Sequence, residues 1–304
     1  MTVPMAGVRA PSTDRPASSD PTTAILVWSR LRRRGYLQGG AVLTAINVAV
    51  QVLLAVIGSG HMLAATTSVL AASAVFAYLV VQFGHIRDAP AVDALLGTQP
   101  WRPVDVRIVR GPVGLWTRSV VEVGDVRFEA SGPSPAHLAV LARSGTAWLI
   151  GPDARGRAAM RIEGSHEAWP ARVRLGSVKP GRLPVVGANV DRLWATWLAA
   201  WPRLSRRGLV GLLNAGEWSK VTASVAPWQA WHNNRANAIA TIHTADGRVL
   251  TLDMRGAPVD LLGTIWDTGS LWVVGDPAPD KTVAVGYPGY PLVTEATISE
   301  AAHV

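Results

Sequence analysis

Two long apolar runs dominate the pattern of hydrophobic and polar positions: residues 37–58 and 62–83 contain no Lys, Arg, Asp or Glu. Only the link Gly58-Ser59-Gly60-His61 separates them. At about 1.5 Å per helical residue, each run is long enough to cross a hydrocarbon core of about 30 Å. Because a link this short permits only an antiparallel pair of helices, the pattern predicts a two-helix transmembrane hairpin over residues 37–83.

Four polar side chains inside the runs predict how these helices pack. Folding the hairpin about residue 60 places Asn47 near Ser73 and Gln51 near Ser68. Hydrogen bonds between such groups hold membrane helices together. The simplest interpretation is contact between the two spans, and the alternative is a homo-oligomer that associates through the same face. A transport pathway is disfavoured because neither run contains a charged residue.

The sequence before the hairpin predicts its orientation. Residues 1–36 are expected to form a disordered basic segment, since the first 24 are rich in Pro, Ser and Thr and have few large apolar side chains. A basic cluster that includes Arg32, Arg33 and Arg34 lies directly before the first run. The positive-inside rule keeps this cluster in the cytoplasm. We therefore predict a multi-pass cell-membrane protein with both termini cytoplasmic, the alternative being a twin-arginine export signal.

Beyond a connector over residues 84–100, the pattern changes to short β-type runs that occur twice. The stretch Gly145–Asp153 returns as Gly269–Pro277, and Trp101–Val104 returns as Trp218–Val221. The offset grows from 117 to 124 residues, and the seven extra residues fit most simply in the loop Trp228–Asn237. Internal similarity of this kind predicts tandem structural repeats, here over residues 101–170 and 218–290, with a C-terminal tail over 291–304.

Each repeat is predicted to have the element order βββαββ. Hairpin turns are indicated at Gly124-Asp125 and Asp246-Gly247. The helices Pro135–Arg143 and Pro258–Asp267 begin with a proline, and each stops just before a glycine suited to a left-handed cap. The predicted fold class is therefore a membrane-anchored α+β protein with two small β-barrel or OB-like repeats, or half-barrels packed on a helix. Two repeated indoles are expected to fill the barrel interiors: Trp148 and Trp272.

The linker over residues 171–217 is predicted to contain a Trp-rich amphipathic helix. Trp194, Trp197 and Trp201 recur at helical spacing on one face, and Asp191 is a candidate cap. Two interpretations stay open for this stripe. It can pack between the two repeats, or it can lie at the membrane interface together with the juxtamembrane arginines.

Composition and motifs narrow the chemistry. The chain has 304 residues, 13 Trp, no Cys and a net charge of +8. Half of that excess lies in residues 1–36, which weakens any argument for nucleic acid. The P-loop, dinucleotide, zinc-protease and nucleophile-elbow patterns are missing from the sequence, so neither a cofactor nor a metal is expected. Gly164-Ser165-His166-Glu167 is interpreted as a solvated turn, since adjacent residues do not form a catalytic triad.

The loop that begins at Pro227 is the best candidate for recognition. It combines aromatic rings with amide and cationic donors in Trp228, Trp231, His232, Asn233 and Arg235. The predicted function is a non-enzymatic membrane protein that presents a duplicated cytoplasmic module to a protein partner. The alternatives are a membrane-tethered nucleic-acid-binding protein, which is not favoured, and a membrane hydrolase.

Overall fold

A long N-terminal helix precedes two β-units in the computed structural model, which describes residues 8–56, 88–111, 118–179, 181, 183, 187–199, 208–228 and 234–300. A 3₁₀ turn at Ala17–Ser19 leads into helix α1, Pro21–Val56, and helix α2 spans Ala89–Thr98. Residues 57–87, which contain the second apolar run with Ser68 and Ser73, lie outside the described residues.

Unit 1 is a seven-stranded antiparallel sheet with one helix. Its elements are β1 Arg102–Asp105, β2 Arg107–Arg110, β3 Arg118–Val123, β4 Val126–Ser131, α3 Pro135–Ser144, β5 Thr146–Ile150, β6 Arg157–Ile162 and β7 Trp169–Val173. The strand order is β1-β5-β6-β7-β4-β3-β2. Only Val106 separates the two edge strands, so they are halves of one bent strand and the sheet curls into a half-barrel.

Unit 2 is a closed six-stranded barrel with the same connections, in the order β10-β13-β12-β11-β8-β9. Its elements are β8 Trp218–Val225, β9 Arg235–His243, β10 Val249–Pro258, α6 Val259–Thr268, β11 Ser270–Val274, β12 Thr282–Tyr287 and β13 Leu292–Glu300. Helices α4, Val190–Ala199, and α5, Leu209–Leu212, lie between the units in the chain. The coarse prediction of an α+β fold with small β-barrels is confirmed.

The strand registers reproduce the repeat. Pro103 pairs with Trp148 in unit 1, and Lys220 pairs with Trp272 in unit 2. The first members of these pairs are 117 residues apart and the second members are 124 residues apart, as the sequence repeat predicts. The predicted position of the seven extra residues is wrong in part, because the paired strands place two of them in the β8–β9 loop and five in the β9–β10 hairpin. The predicted strand count is also wrong. Each unit has a sixth strand position, filled by β7 or β13.

The two repeated indoles are not core plugs. Side chains alternate across a strand, and the buried positions of β5 and β11 are the neighbours of each indole. The rings themselves are half-buried on the outer side, where Trp148 packs against a second cluster beneath α1 and α2. The interiors are instead filled by smaller side chains, which include Ala147, Leu149, Leu271 and Val273.

The prediction of disorder over residues 1–36 is wrong for residues 17–36, which form the 3₁₀ turn and the first part of α1. The side chain of Asp20 accepts the backbone N–H of Thr22 at 2.9 Å and so caps α1. Leu26 and Val27 are buried against the units. The sequence looked unable to fold alone, and it is ordered because other parts of the chain bury it.

The described residues give no support to the predicted transmembrane hairpin. Among the described residues, no helix combines the length and the apolar character that crossing a membrane requires.

Candidate functional site

A buried junction joins helix α1 to both units. It forms where α1 meets the β6–β7 loop, residues 163–168, and helix α6 of unit 2. Ser165 and His166, predicted to lie in a solvated turn, are only 1% and 2% exposed. That prediction is wrong, because the turn is covered from two sides by helices that are distant in sequence.

The first half of the junction comes from α1. Asp20 Oδ2 lies 2.9 Å from His166 Nδ1 and 2.8 Å from Arg161 Nη1. The Thr23 hydroxyl donates to the carbonyl oxygen of His166 at 2.8 Å. Two turns after Thr23, Arg30 donates to the Ala168 carbonyl and pairs with the carboxylate of Glu167. The start of α1 is therefore fixed to unit 1 by charged hydrogen bonds.

The second half of the junction comes from α6. Asp260 accepts hydrogen bonds from the Ser165 hydroxyl and from the backbone N–H of His166. Asp267 Oδ2 lies 3.7 Å from His166 Nε2. The imidazole thus lies between a carboxylate of α1 and a carboxylate of unit 2, and it links the two.

Burial and charge act in opposite directions on the acids of the junction. Burial is the largest influence on Asp20 and raises its pKa, but the hydrogen bond and charge of His166 and the charge of Arg161 outweigh it and leave the pKa well below its ordinary value. Burial raises the pKa of Asp260 against the opposing charge of His166. It likewise raises the pKa of Glu167 against the charge of Arg30.

The geometry suits a structural lock rather than nucleophilic catalysis. A catalytic serine donates to its general base, but the Ser165 hydroxyl donates to Asp260, and the imidazole faces Asp20 instead. Within the described ranges, no group of three or more His, Asp and Glu residues has an arrangement that could hold a metal ion.

The two units also bind neighbouring helices through equivalent backbone carbonyls. Ala168 and Val293 are equivalent in the two repeats, and each backbone carbonyl accepts a hydrogen bond from a helix outside its barrel. Arg30 of α1 binds the first, and Trp194 Nε1 of α4 binds the second at 3.2 Å.

The loops between the last two strands of each unit, residues 163–168 and 288–291, also meet directly. The Tyr290 hydroxyl donates to Glu163 Oε1 at 2.8 Å. The Arg143 guanidinium lies 5.2 Å from the ring centre of Tyr290. Arg143 and Asp267 are equivalent helix positions, and each contacts the loop of the other unit. The units therefore face each other through exchanged, equivalent contacts, as subunits do across a two-fold axis.

The Trp-rich helix α4 packs between the units. Trp194 is buried, stacks on Trp197 with ring centres 5.2 Å apart, and meets His137 of α3 edge to face at 5.6 Å. Burial lowers the pKa of His137 to about 3, so this imidazole is neutral. The burial of Trp194 favours the packing interpretation of the stripe, while Trp201 lies outside the described residues. Asn189, rather than Asp191, caps the helix by accepting the N–H of Arg192.

Of the predicted recognition loop, only the two ends are described. Trp228 is half-buried against the core of unit 2, and Arg235 Nη1 donates to the Gly256 carbonyl at 2.7 Å. Trp231, His232 and Asn233 lie outside the described residues. The structure adds Trp266 of α6, which is 58% exposed and meets Trp228 edge to face at 6.2 Å. We call Trp228 and Trp266 the aromatic patch.

The predicted membrane-interface arginines occupy the middle of α1. The Arg32 guanidinium lies 5.3 Å from the ring centre of Trp28 and 5.7 Å from that of Tyr36, both of which are exposed. Arg33 and Arg34 follow on the same helix. Asn47 also lies on α1, and no contact that tests its predicted packing role involves described partners.

Sequence reasoning missed the junction residues Asp20, Arg161 and Asp260. They come from three distant segments, and none belongs to a motif with fixed spacing. The only sequence signal was the triplet Ser165-His166-Glu167, whose partners are set by tertiary contacts. No family model matches the chain, and comparisons with curated proteins and with solved structures found no match either.

Proposed function

We propose that this protein is a non-enzymatic scaffold of the cell membrane, in which residues 37–83 insert into the bilayer and the duplicated β-units bind a protein partner on the cytoplasmic side. The observation that carries the proposal is the course of α1. This one helix begins in the buried junction, continues through the basic cluster and ends in an apolar stretch that the units do not cover.

The second half of α1 has the surface of a lipid-facing segment. Its described apolar side chains are largely exposed, up to 69% at Leu43, and they include Val42, Ile46, Val50 and Leu53. The helix carries no charge after Arg34. Contiguous exposed apolar surface of this kind needs an apolar partner. A bilayer fits best, because the adjoining arginines complement an anionic headgroup layer.

The junction connects α1 rigidly to both β-units. The charged contacts of Asp20 and Arg30 fix the start of α1 to unit 1, and Asp260 couples the same loop to unit 2. A membrane anchor that continues this helix would hold both units in one orientation relative to the bilayer. A flexible tether would leave that orientation undefined. The rigid junction therefore supports assembly of a partner complex at a fixed distance from the bilayer.

The aromatic patch is the best-supported partner surface. Position 266 corresponds to Ala142 in unit 1, so the fold itself does not need an aromatic ring there. Tryptophans at exposed positions are typical anchors of protein interfaces. Nucleic acid is less well supported, because the arginines of the units are largely matched with acids, as where Arg107 and Arg127 share Glu122.

Membrane extraction tests the anchor. We expect the full chain to stay in the membrane fraction at alkaline pH and high salt. The double variant Leu43→Lys/Ile46→Lys should be released, because each charge at membrane depth costs about 2.5–3.5 kcal/mol. The matched control is Val126→Lys/Val249→Lys, which adds the same charges at exposed apolar positions of the β-units. Release of the wild-type chain, or equal behaviour of both double variants, would contradict anchoring through α1.

A photo-crosslinking amino acid at position 266 tests the partner surface in cells. We expect discrete crosslinked protein species from position 266 and none from the equivalent position 142. If the two positions give the same pattern, the aromatic patch is not the partner surface.

A further inference from the structure

A groove on the outer face of unit 1 has a composition that the barrel fold does not explain. It encloses about 390 Å³ and is lined by Asp88, Arg118, Glu129, Arg172, Arg174 and Leu175. The Glu129 carboxylate orients two of the guanidinium groups: Arg118 Nη1 binds Oε1 at 3.0 Å, and Arg174 binds Oε2. Three cationic groups thus converge around two carboxylates.

Arg172 is the most available of the three cations. It pairs with Glu129 across the β4–β7 ladder, which places it on the same face of the sheet. Its side chain is exposed. Within the part of the chain that the structure describes, Arg172 forms no ion pair with an acidic residue. A guanidinium in this position can donate two parallel hydrogen bonds to a phosphate.

Unit 2 provides an internal control for these arginines. The strand registers make Thr297 the equivalent of Arg172, and Ser299 the equivalent of Arg174. The equivalent of Arg118 is Asn237. Unit 2 closes its barrel with uncharged side chains at all three positions. The positive charge of the groove is therefore an addition of unit 1 rather than a requirement of the strand order.

The position of the groove points to the bilayer. Asp88 at its rim is five residues beyond Phe83, the last residue of the second apolar run. Five residues of extended chain span at most about 18 Å. Leu175, which also lines the groove, is 90% exposed beside Arg174. An exposed leucine among arginines is typical of a segment that touches both the acyl and the headgroup layers.

We propose that this groove binds the phosphate of an anionic phospholipid headgroup, with Arg172 as the main ligand and with Arg118 and Arg174 held in place by Glu129. The proposal rests on the proposed membrane anchoring, which brings the groove close to the bilayer. The bound lipid fixes the rotation of the β-units on the membrane, because the groove lies on one face of unit 1. Free inorganic phosphate could bind through the same hydrogen bonds, and the experiment below distinguishes it from a lipid headgroup.

A fluorescence experiment on the full chain tests this site. The chain contains no cysteine, so Ser177→Cys provides a single labelling site near Leu175 without changing the groove. The labelled protein is placed in nanodiscs of phosphatidylcholine with increasing phosphatidylglycerol. We expect a blue shift of the label emission that saturates with phosphatidylglycerol. Arg172→Gln should raise the phosphatidylglycerol content needed for half the effect about fivefold, the loss expected for one surface arginine.

Arg155→Gln is the matched control, because it removes one exposed arginine outside the groove. It should leave the half-effect content unchanged. Equal responses of the two variants, or no response of the wild type, would overturn the headgroup site. The same shift produced by inorganic phosphate in pure phosphatidylcholine would overturn the lipid as its source. A chain that does not co-elute with nanodiscs would overturn membrane anchoring itself, and the lipid site with it.

Discussion

The two β-units share a ladder but differ in what surrounds it. Glu129 pairs with Arg172 in unit 1, and Asp253 pairs with Thr297 at the equivalent rung of unit 2. Gly145 and Gly269 end the two helices in the same left-handed conformation. Positions that recur show what the fold requires. Positions that differ, such as Asp260 against Ala136 or Trp266 against Ala142, are where one copy has acquired a separate role.

The largest effect is expected where unit 2 is made to resemble unit 1 at the junction. Asp260→Ala leaves the Ser165 hydroxyl and the His166 N–H buried without their acceptor. Breaking one side of a buried charged network costs about 3 kcal/mol or more. We expect the free energy of unfolding, measured by denaturant titration of the full chain in detergent, to fall by that amount.

Asp253→Ala is the control for this prediction. Its carboxylate pairs only with the exposed Arg255 among the described residues, and exposed pairs contribute at most about 1 kcal/mol. Similar losses in the two variants would mean that the junction is no more important to stability than a surface ion pair.

The equivalent glycines of the two facing loops provide a second comparison. Gly164 has φ +79°, and Gly289 has φ +81°, so an alanine is strained at both. A Cβ at Gly164 would also lie 2.1 Å from the buried ring of Tyr290, whereas at Gly289 it would meet only the end of the Arg143 side chain at 3.0 Å.

We therefore expect Gly164→Ala to lower the free energy of unfolding by about 3 kcal/mol and Gly289→Ala by about 1 kcal/mol. Thermal unfolding followed by near-UV circular dichroism measures both. A larger loss at Gly289 would show that the contact between the loops is softer than the packing around Tyr290 indicates.

Local sequence signals predicted much of the barrels and little of the junction. Turn glycines, helix-initiating prolines and the repeated Gly-x-x-Trp motif depend on neighbouring residues, so five strand positions of each unit, the hairpin turns and both helices could be recognised. The sixth strand position, filled by β7 or β13, carries no such signal and was missed. The pairing of His166 with Asp20 and Asp260 joins segments about a hundred residues or more apart, and no spacing rule connects them. The order of residues 17–36 was missed for the same reason, since their buried side chains pack against α2 and the two units, which are distant in sequence.

The carboxyl groups of Asp191 on α4 and of Asp20, which caps α1, should change the stability of the fold in opposite directions as pH changes. Burial raises the pKa of Asp191 to about 6, while the N–H of Gly289 and the charge of Arg143 oppose the shift. The pKa of Asp20 is lowered. A raised carboxyl pKa adds stability below about pH 4, and this stability is lost as pH rises through 6. Asp20 instead adds stability near neutral pH that is lost in acid.

Asp191→Asn tests the raised pKa of Asp191, because an amide still accepts the Gly289 N–H but carries no charge. We expect the variant to be about 2 kcal/mol more stable than wild type at pH 7.5 and equally stable near pH 4. Denaturant unfolding at both pH values measures the difference, and groups common to both chains cancel. A variant that is less stable than wild type at pH 7.5 would contradict the raised pKa.

The smallest effect on stability is expected at the aromatic patch, where unit 2 carries Trp266 and unit 1 carries Ala142. The Trp266 ring is 58% exposed and touches Trp228 only at its edge, so Trp266→Ala should lower the free energy of unfolding by about 1 kcal/mol or less. Leu262→Ala, one turn earlier on the same helix and fully buried, should cost about 3 kcal/mol. Denaturant unfolding compares the two. If the tryptophan variant loses as much as the leucine variant, Trp266 serves the fold of unit 2, and its exposure does not identify a binding surface. A small loss of unfolding free energy would show that the fold does not depend on the Trp266 ring, which supports a role of this ring in binding a partner.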